Sequence, residues 1–517
     1  MPKSTKAAGF FAGFKTETGK AALLALALAV LTAVIYGQTA EFSFISLDDM
    51  SHVFTNPLLQ DGVTWQGLKT AFTDYRSNFS APLTMASYMA DIQAWGMDPG
   101  AMHRTNAFLF GLNAIVLFLA LRYATGSTWK SFFAAALWAA HPLRVESIAW
   151  ITERKDVLAG LFFMLALWSH AAFAKTGKLR WQVSTFLAML LGVTAKPVAV
   201  VIPAALLLLD FWPLGRFYGE GDGIFLRRAG KLLLEKAHLF ALSAVFAGLT
   251  VYGQTAQYSI ESQRSLSNVL GASITYWRYL ARTFLPGEMV LENAPKWAPD
   301  QIGLAALALT GLLAVSVAAW LLRKKSPEFS FGWFWFLVIL TPNSGLISVG
   351  VQGYSDRYSY LPHVGLFIGL VWAAARLGKR YLPDPRLAAL PGALLLALMT
   401  YASWNLTGYW QDTLTLFSHV DEVYEGKNAL AKNSLASEYV IRNEPEKALA
   451  YYLEVRKLNP HYPYLKFNVA VALHRLGRGQ EALRVLDTDL STNERDKQRV
   501  NLLREEIIRS IGEGKRG

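Results

Sequence analysis

Two adjacent carboxylates, Asp48 and Asp49, stand just beyond an apolar run from Ala21 to Tyr36. A paired acid at a membrane surface suits general-base chemistry, taking a proton from a hydroxyl acceptor beside a membrane-embedded substrate. The same pair also reads as a helix cap or a solvated turn. Asn56-Pro57 after it marks a turn. His52, three residues after Asp49, leaves room for a divalent metal and nothing firmer. No phosphate-cradling glycine loop is present, which argues against ATP use.

Further charges crowd the ends of other apolar runs. His141-Pro142-Leu143-Arg144-Val145-Glu146 continues to Glu153-Arg154-Lys155-Asp156. On a continuous helix Glu146, Trp150 and Glu153 share one face. Such charges are costly near a membrane unless they are paired or face a polar cavity. The segment is therefore a salt-bridged turn or a cleft for an anionic head group, with Arg and Lys neutralising phosphate. His141 has no second histidine at ligand spacing and fits a hydrogen-bonded helix end. In Tyr354-Ser355-Asp356-Arg357-Tyr358-Ser359-Tyr360-Leu361-Pro362, Arg357 either binds a lipid phosphate or anchors at the interface with Asp356 as partner. Lys196, before Pro197, is a fourth candidate cation, or it snorkels from a helix end.

The elements that carry these residues are membrane helices. Of 517 residues, 53% are hydrophobic, 17% are charged and none is cysteine. Mean hydropathy is +0.25. This composition excludes an ordinary soluble enzyme, disulfides and a catalytic thiol. Hydropathy gives about eleven spans, roughly 21–37, 106–122, 131–147, 157–174, 181–195, 198–214, 237–254, 301–322, 329–349, 360–376 and 388–404. The first lacks a clear cleavage site and reads as a retained helix. Lys3, Lys6, Lys15 and Lys20 hold the N-terminus inside. Every short basic loop then falls on the same side, from Arg122 and Lys130 to Arg376, Lys379, Arg380 and Arg386. Segments 38–105, 148–156, 255–300 and 350–359 lie outside, as does the region from 405. Within 255–300, the stretch Leu266–Leu285 is amphipathic, with Arg278 and Arg282, and is expected to lie in the interface or re-enter the membrane. The net charge of +12 reflects membrane orientation, and no nucleic-acid partner is implied.

From residue 405 the chain changes character. Leu435, Ala436, Tyr439, Ala448 and Tyr452 recur 34 residues later as Val469, Ala470, Leu473, Ala482 and Leu486. That period is the tetratricopeptide one. A short solenoid needs capping, and the helix after Asn493 would supply it. The predicted organisation is all-α: a polytopic helix bundle over 1–404 and an extracytoplasmic repeat domain over 405–517.

These clusters, in this order and followed by such repeats, resemble the transmembrane and tetratricopeptide-repeat O-mannosyltransferases and their bacterial relatives, within the GT-C glycosyltransferases. The most specific stretch runs from His141 to Trp150 and on through Glu153-Arg154-Lys155-Asp156. Asp356 to Pro362, Leu47-Asp48-Asp49 with Asn56-Pro57, and Ala195-Lys196-Pro197 add to it. Bacterial relatives often carry a Trp-His-Pro-Leu element where this chain reads Asn78-Phe79-Ser80-Ala81-Pro82-Leu83-Thr84, without the histidine.

The resemblance implies a polyprenyl-phosphate sugar donor, membrane lipid around it, and inverting transfer outside the cytoplasm to a protein or peptide acceptor presented by the repeats. The base would be Asp49 or Asp48, with Asp49 preferred. Arg357, with Arg154 or Lys155, would hold the donor phosphate. Glu146, Glu153, His141, Arg144, Lys196, Asp356 and Tyr358 complete the expected substrate site. The expected setting is the bacterial inner membrane, with the repeats periplasmic. Two other classes stay open: a flippase for lipid-linked sugar, which would favour midplane charges and repeated halves, and a non-catalytic scaffold using its repeats.

Overall fold

The computed structural model describes residues 16–74, 81–218, 224–255, 266–287, 301–346, 354–381, 384, 387, 389–487 and 494–513. Every regular element among them is helical. Lys3, Lys6, Lys15, Tyr75, residues 78–80 and Arg386 lie outside the described residues. The chain divides into two compact units. One comprises Met1–Phe42, Ser51–Gly287 and Asn293–Gly408, and the other joins Ser43–Met50 to Tyr409–Gly517.

The larger unit is a multi-pass membrane bundle. Among the described residues, five helices are long and apolar enough to cross a membrane: Glu17–Glu41, Pro99–Thr125, Ile151–Thr176, Ile302–Leu322 and Ala389–Gly408. The bent pair Phe225–Glu235 and Ala237–Gly253, at 59°, makes a sixth if taken as one span. The eleven apolar runs thus exceed the continuous spans, because the chain breaks several of them. Thr128–Ala140 stops at His141-Pro142 and Leu179–Ala195 at Lys196-Pro197. Proline lacks an N–H and pushes the preceding residue out of the helical region. Lys196 accordingly adopts φ −152°, ψ 130°. Pro327–Leu340 has 14 residues. At 1.5 Å each it is roughly 21 Å long, short of a ~30 Å hydrocarbon core.

The unbroken helices carry clear end signals. Asp98 accepts from Gly100 N at 2.9 Å, Pro99 opens the Pro99–Thr125 helix, and Gly126 closes it at φ 71°. Inside the bundle, buried tryptophans tie helices to the Asp356–Ser359 turn and its flank. Trp138 Nε1 donates to Tyr360 O at 2.8 Å and Trp335 Nε1 to Leu361 O at 3.0 Å. The Leu266–Phe284 helix is packed against its neighbours: Trp277 Nε1 donates to Ala308 O at 2.8 Å and Tyr279 OH to Ser355 O at 2.7 Å.

In the smaller unit, helices Thr413–Val423, Ala429–Ile441, Pro445–Leu458, Leu465–Arg475, Gly479–Asp487 and Glu494–Glu513 follow one another. Asp412 and Asn428 cap two of them, accepting from Thr415 N at 2.7 Å and Ala431 N at 3.0 Å. Residues recurring 34 apart meet in one core, including Ala436, Ala448 and Tyr452 with Ala470, Ala482 and Leu486. Val500, Leu503 and Ile507 of the last helix join that core.

Close packing around the tryptophans gives the first prediction. A Cβ on Gly365 would lie 2.3 Å from Trp335 Cγ. Gly365→Ala is expected to cost about 1–3 kcal/mol through overpacking. Thermal unfolding in detergent should show a lower midpoint, and an unchanged midpoint would refute this close approach.

Candidate functional site

Three breaks in the bundle bring the charged residues together. The helix from Val145 to Ala149 ends at Trp150, whose ψ of 117° is extended. A single turn, Ile151–Glu153, leads into the helix Arg154–Thr176. Glu146 and Glu153 therefore do not share the face of one continuous helix. They converge by another route, because both reach Arg357 from the Asp356–Ser359 turn.

Glu146 Oε2 accepts from Arg357 N at 2.9 Å, and its Oε1 pairs with Arg357 Nη1. Arg357 Nε lies 3.2 Å from Glu153 Oε1. Lys155 Nζ reaches the same oxygen at 3.1 Å, and Lys196 Nζ reaches Glu153 Oε2 at 3.3 Å. Lys196 also pairs with Asp156 Oδ1 at 2.7 Å. The cations Arg357, Lys155 and Lys196 thus face Glu146, Glu153 and Asp156, one for one. The extended backbone forced by Pro197 frees Lys196 to enter this cluster.

The cluster has an accessible edge. Side-chain exposure is 24% for Lys155, 15% for Lys196 and 6% for Arg357. Arg357 sits 5.2 Å from the ring centres of both Trp150 and Tyr358. Burial alone would weaken proton binding by Lys196, but Asp156 and Glu153 outweigh it and hold the ammonium above its ordinary range. Burial pushes the Asp356 carboxyl up, and Arg282 at 2.9 Å offsets this in part. Arg282 is the partner that sequence reading missed. Its helix was noted as amphipathic, but no spacing rule links residues 282 and 356.

Other expected residues are placed elsewhere. Arg154 is fully buried and does not face Arg357. It pairs with Asp91 at 2.6 Å, donates to Asn106 Oδ1 at 2.7 Å and Met102 O at 2.8 Å, and lies over the Tyr88 ring. It works as a brace, and of the two cations named for the donor only Lys155 joins the cluster. Arg144 is also fully buried, donating to Ser359 Oγ and lying over Tyr360 at 5.4 Å. His141 Nε2 contacts Thr283 O at 3.0 Å and Nδ1 accepts from Leu143 N at 3.2 Å. A carbonyl only accepts, so Nε2 carries the proton and the ring has no lone pair left for a metal.

Asp48 and Asp49 belong to the smaller unit. Both stand in a helical turn. Asp49 is fully buried and its Oδ2 accepts from Ile45 N at 3.1 Å, whereas Asp48 is half-buried. His52, by contrast, falls in the larger unit. Among the described residues, the group with metal-compatible spacing is His170, Asp210 and Glu235. Arg216 and Lys236 already occupy both of its carboxylates, so it reads as an ion-paired clasp.

The fold and this cluster define a multi-pass helical membrane protein with a charged site at broken helix ends. Over 166 residues, 29% of its length, the chain is 32% identical to Protein O-mannosyl-transferase TMTC1 of Mus musculus. It is 27% identical over 162 residues to Protein O-mannosyl-transferase Tmtc2 of Drosophila melanogaster. The chain is thus a sequence relative of protein O-mannosyl-transferases, and the match spans 17% of each of those two proteins. No protein-family model matches it. Among solved structures it aligns with ArnT from Cupriavidus metallidurans bound to undecaprenyl phosphate, at 15% identity and a TM-score of 0.38, over 91% of this chain and 80% of that one.

The cluster predicts a specific instability. Lys196→Met leaves Glu153 and Asp156 buried beside too few cations, which should cost about 3 kcal/mol or more. Protonated carboxyls need no cation, so the deficit should shrink as pH falls. Thermal unfolding in detergent across a pH series measures both effects. Wild-type stability at neutral pH would disprove the pairing.

Proposed function

We propose that this chain is a membrane glycosyltransferase that moves a sugar, with inversion, from a polyprenyl-phosphate donor to a protein hydroxyl on the extracytoplasmic face. The observation that carries the reading is the convergence of Lys155, Lys196 and Arg357 from three separate segments. A departing lipid phosphate gains negative charge, and preorganised cations at that point stabilise the transition state. Lys155 and Lys196 stand at the accessible edge, with Arg357 behind them. Because each cation already has a carboxylate partner, an arriving phosphate competes with Glu153 rather than filling an unpaired site.

The names of the relatives state protein O-mannosyl transfer, so mannose is the first sugar to test. The basic-loop pattern supports a cytoplasmic N-terminus, and the membrane we propose is the bacterial inner one. In this reading residues 1–404 are the transferase and 405–517 the repeat domain that receives the acceptor. The base is Asp48 or Asp49. Burial favours Asp48 as the proton acceptor, since Asp49 is enclosed and occupied by Ile45 N.

Substitution by asparagine separates the roles. Asparagine keeps an oxygen that accepts from Ile45 N but loses the basic carboxylate. Asp48→Asn should lower transfer by about 100-fold or more, while Asp49→Asn should retain most of it. The check is intact glycoprotein mass spectrometry on membranes from a deletion strain carrying each variant at matched protein level. The reverse pattern would make Asp49 the base. Full transfer in both variants would remove the assignment, and no difference between deletion and wild type would favour the flippase or scaffold.

A further inference from the structure

We infer that Ser46, Thr413 and Glu438 are positioning residues for the first-loop carboxylates, so that the C-terminal unit holds the base segment as well as receiving the acceptor. The inference rests on the reading of Asp48 or Asp49 as base. It comes from the division of the chain itself: Ser43–Met50, far from residue 409 in sequence, is an integral part of the C-terminal unit.

The attachment is specific. Ser43 N donates to Gln411 O at 3.0 Å, and Ser46 N to Thr413 Oγ1 at 2.9 Å. Ser46 Oγ donates to Glu438 Oε2 at 3.1 Å, while Glu438 Oε1 pairs with Arg442 Nε at 3.0 Å. Glu438 is therefore oriented by one partner and grips the segment with its other oxygen. Ile45, between the two anchored serines, is fully buried. Its N–H is the donor that Asp49 Oδ2 accepts, and Leu47 N closes back on Ile45 O at 2.7 Å. The anchors fix Ser43–Ser46, Ile45 fixes Asp49, and the turn then sets where Asp48 points. A base displaced by about 1 Å loses much of its effect, so these bonds act on turnover through the carboxylate.

The full-length chain in detergent, supplied with radiolabelled polyprenyl phosphate mannose and the purified protein that loses its glycan in the deletion strain, tests this. Ser46→Ala and Glu438→Ala should each lower kcat by roughly 10-fold with donor KM unchanged. Glu438→Gln, which still offers an oxygen to Ser46, should restore most of the rate. Because the chain has no cysteine, a Ser46→Cys/Glu438→Cys pair can be bridged by a short bifunctional thiol-reactive cross-linker without competing thiols, the span of the linker replacing the length of the glutamate side chain. Linked peptides found by mass spectrometry, with turnover retained in the linked protein, support the inference. Wild-type kcat in both alanine variants while Asp48→Asn is inactive would overturn it alone, as would a link that abolishes turnover. Full activity in both Asp48→Asn and Asp49→Asn, or no transfer by the wild type, would bring down the parent reading and this inference with it.

Discussion

The larger unit depends on one buried arginine. Arg357 enters between Glu146 and Glu153, and its own backbone N–H is held by the first of these. An isolated charge at this depth would cost several kcal/mol. The arginine is affordable only because two carboxylates arrive from either side of the break at Trp150, and those carboxylates are tolerable only because Lys155 and Lys196 complete the pairing. The cluster is mutually conditional: each member is stable where it is because the others are present.

That condition explains the helix breaks. A continuous helix through residues 145–176 would hold Glu146 and Glu153 on one face but about 10 Å apart along its axis; the break draws both to one guanidinium. The extended residue at Trp150 re-aims the chain. The extended residue at Lys196, imposed by Pro197, does the same for the ammonium. Backbone hydrogen bonds are given up at these points, and ion pairs and indole or phenol donors replace them, as with Tyr88 OH on Ile151 O at 2.8 Å. Backbone groups freed at a buried break must find such partners.

The two arginines that look alike in sequence serve differently. Arg154 is enclosed by Asp91, Asn106 and Met102 and joins the Pro82–Trp95 and Pro99–Thr125 helices to the start of its own. Arg357 reaches an accessible edge through its neighbours. Composition and position along the chain do not separate a brace from a cation of the accessible cluster. The direction of each side chain does, and that is fixed by which helix packs beside it.

Much was legible in the sequence alone. The apolar runs, the prolines at 142 and 197, the charge clusters at run ends and the 34-residue recurrence each reflect local physics: hydropathy, a missing N–H, helical period. These fix helix positions, the places where helices stop and the residues that meet in the C-terminal core. What only the tertiary structure decided was pairing at a distance. Arg282 with Asp356, Lys196 with Asp156 and Glu438 with Ser46 join residues that no periodicity relates. The count of continuous spans belongs there too, because whether an apolar run stays whole depends on partners waiting at its break. Assignment of Ser43–Met50 to the C-terminal unit is the clearest case, since its hydrogen bonds reach nearly four hundred residues along the chain, from Ser46 to Glu438, and chain proximity carries no information about them.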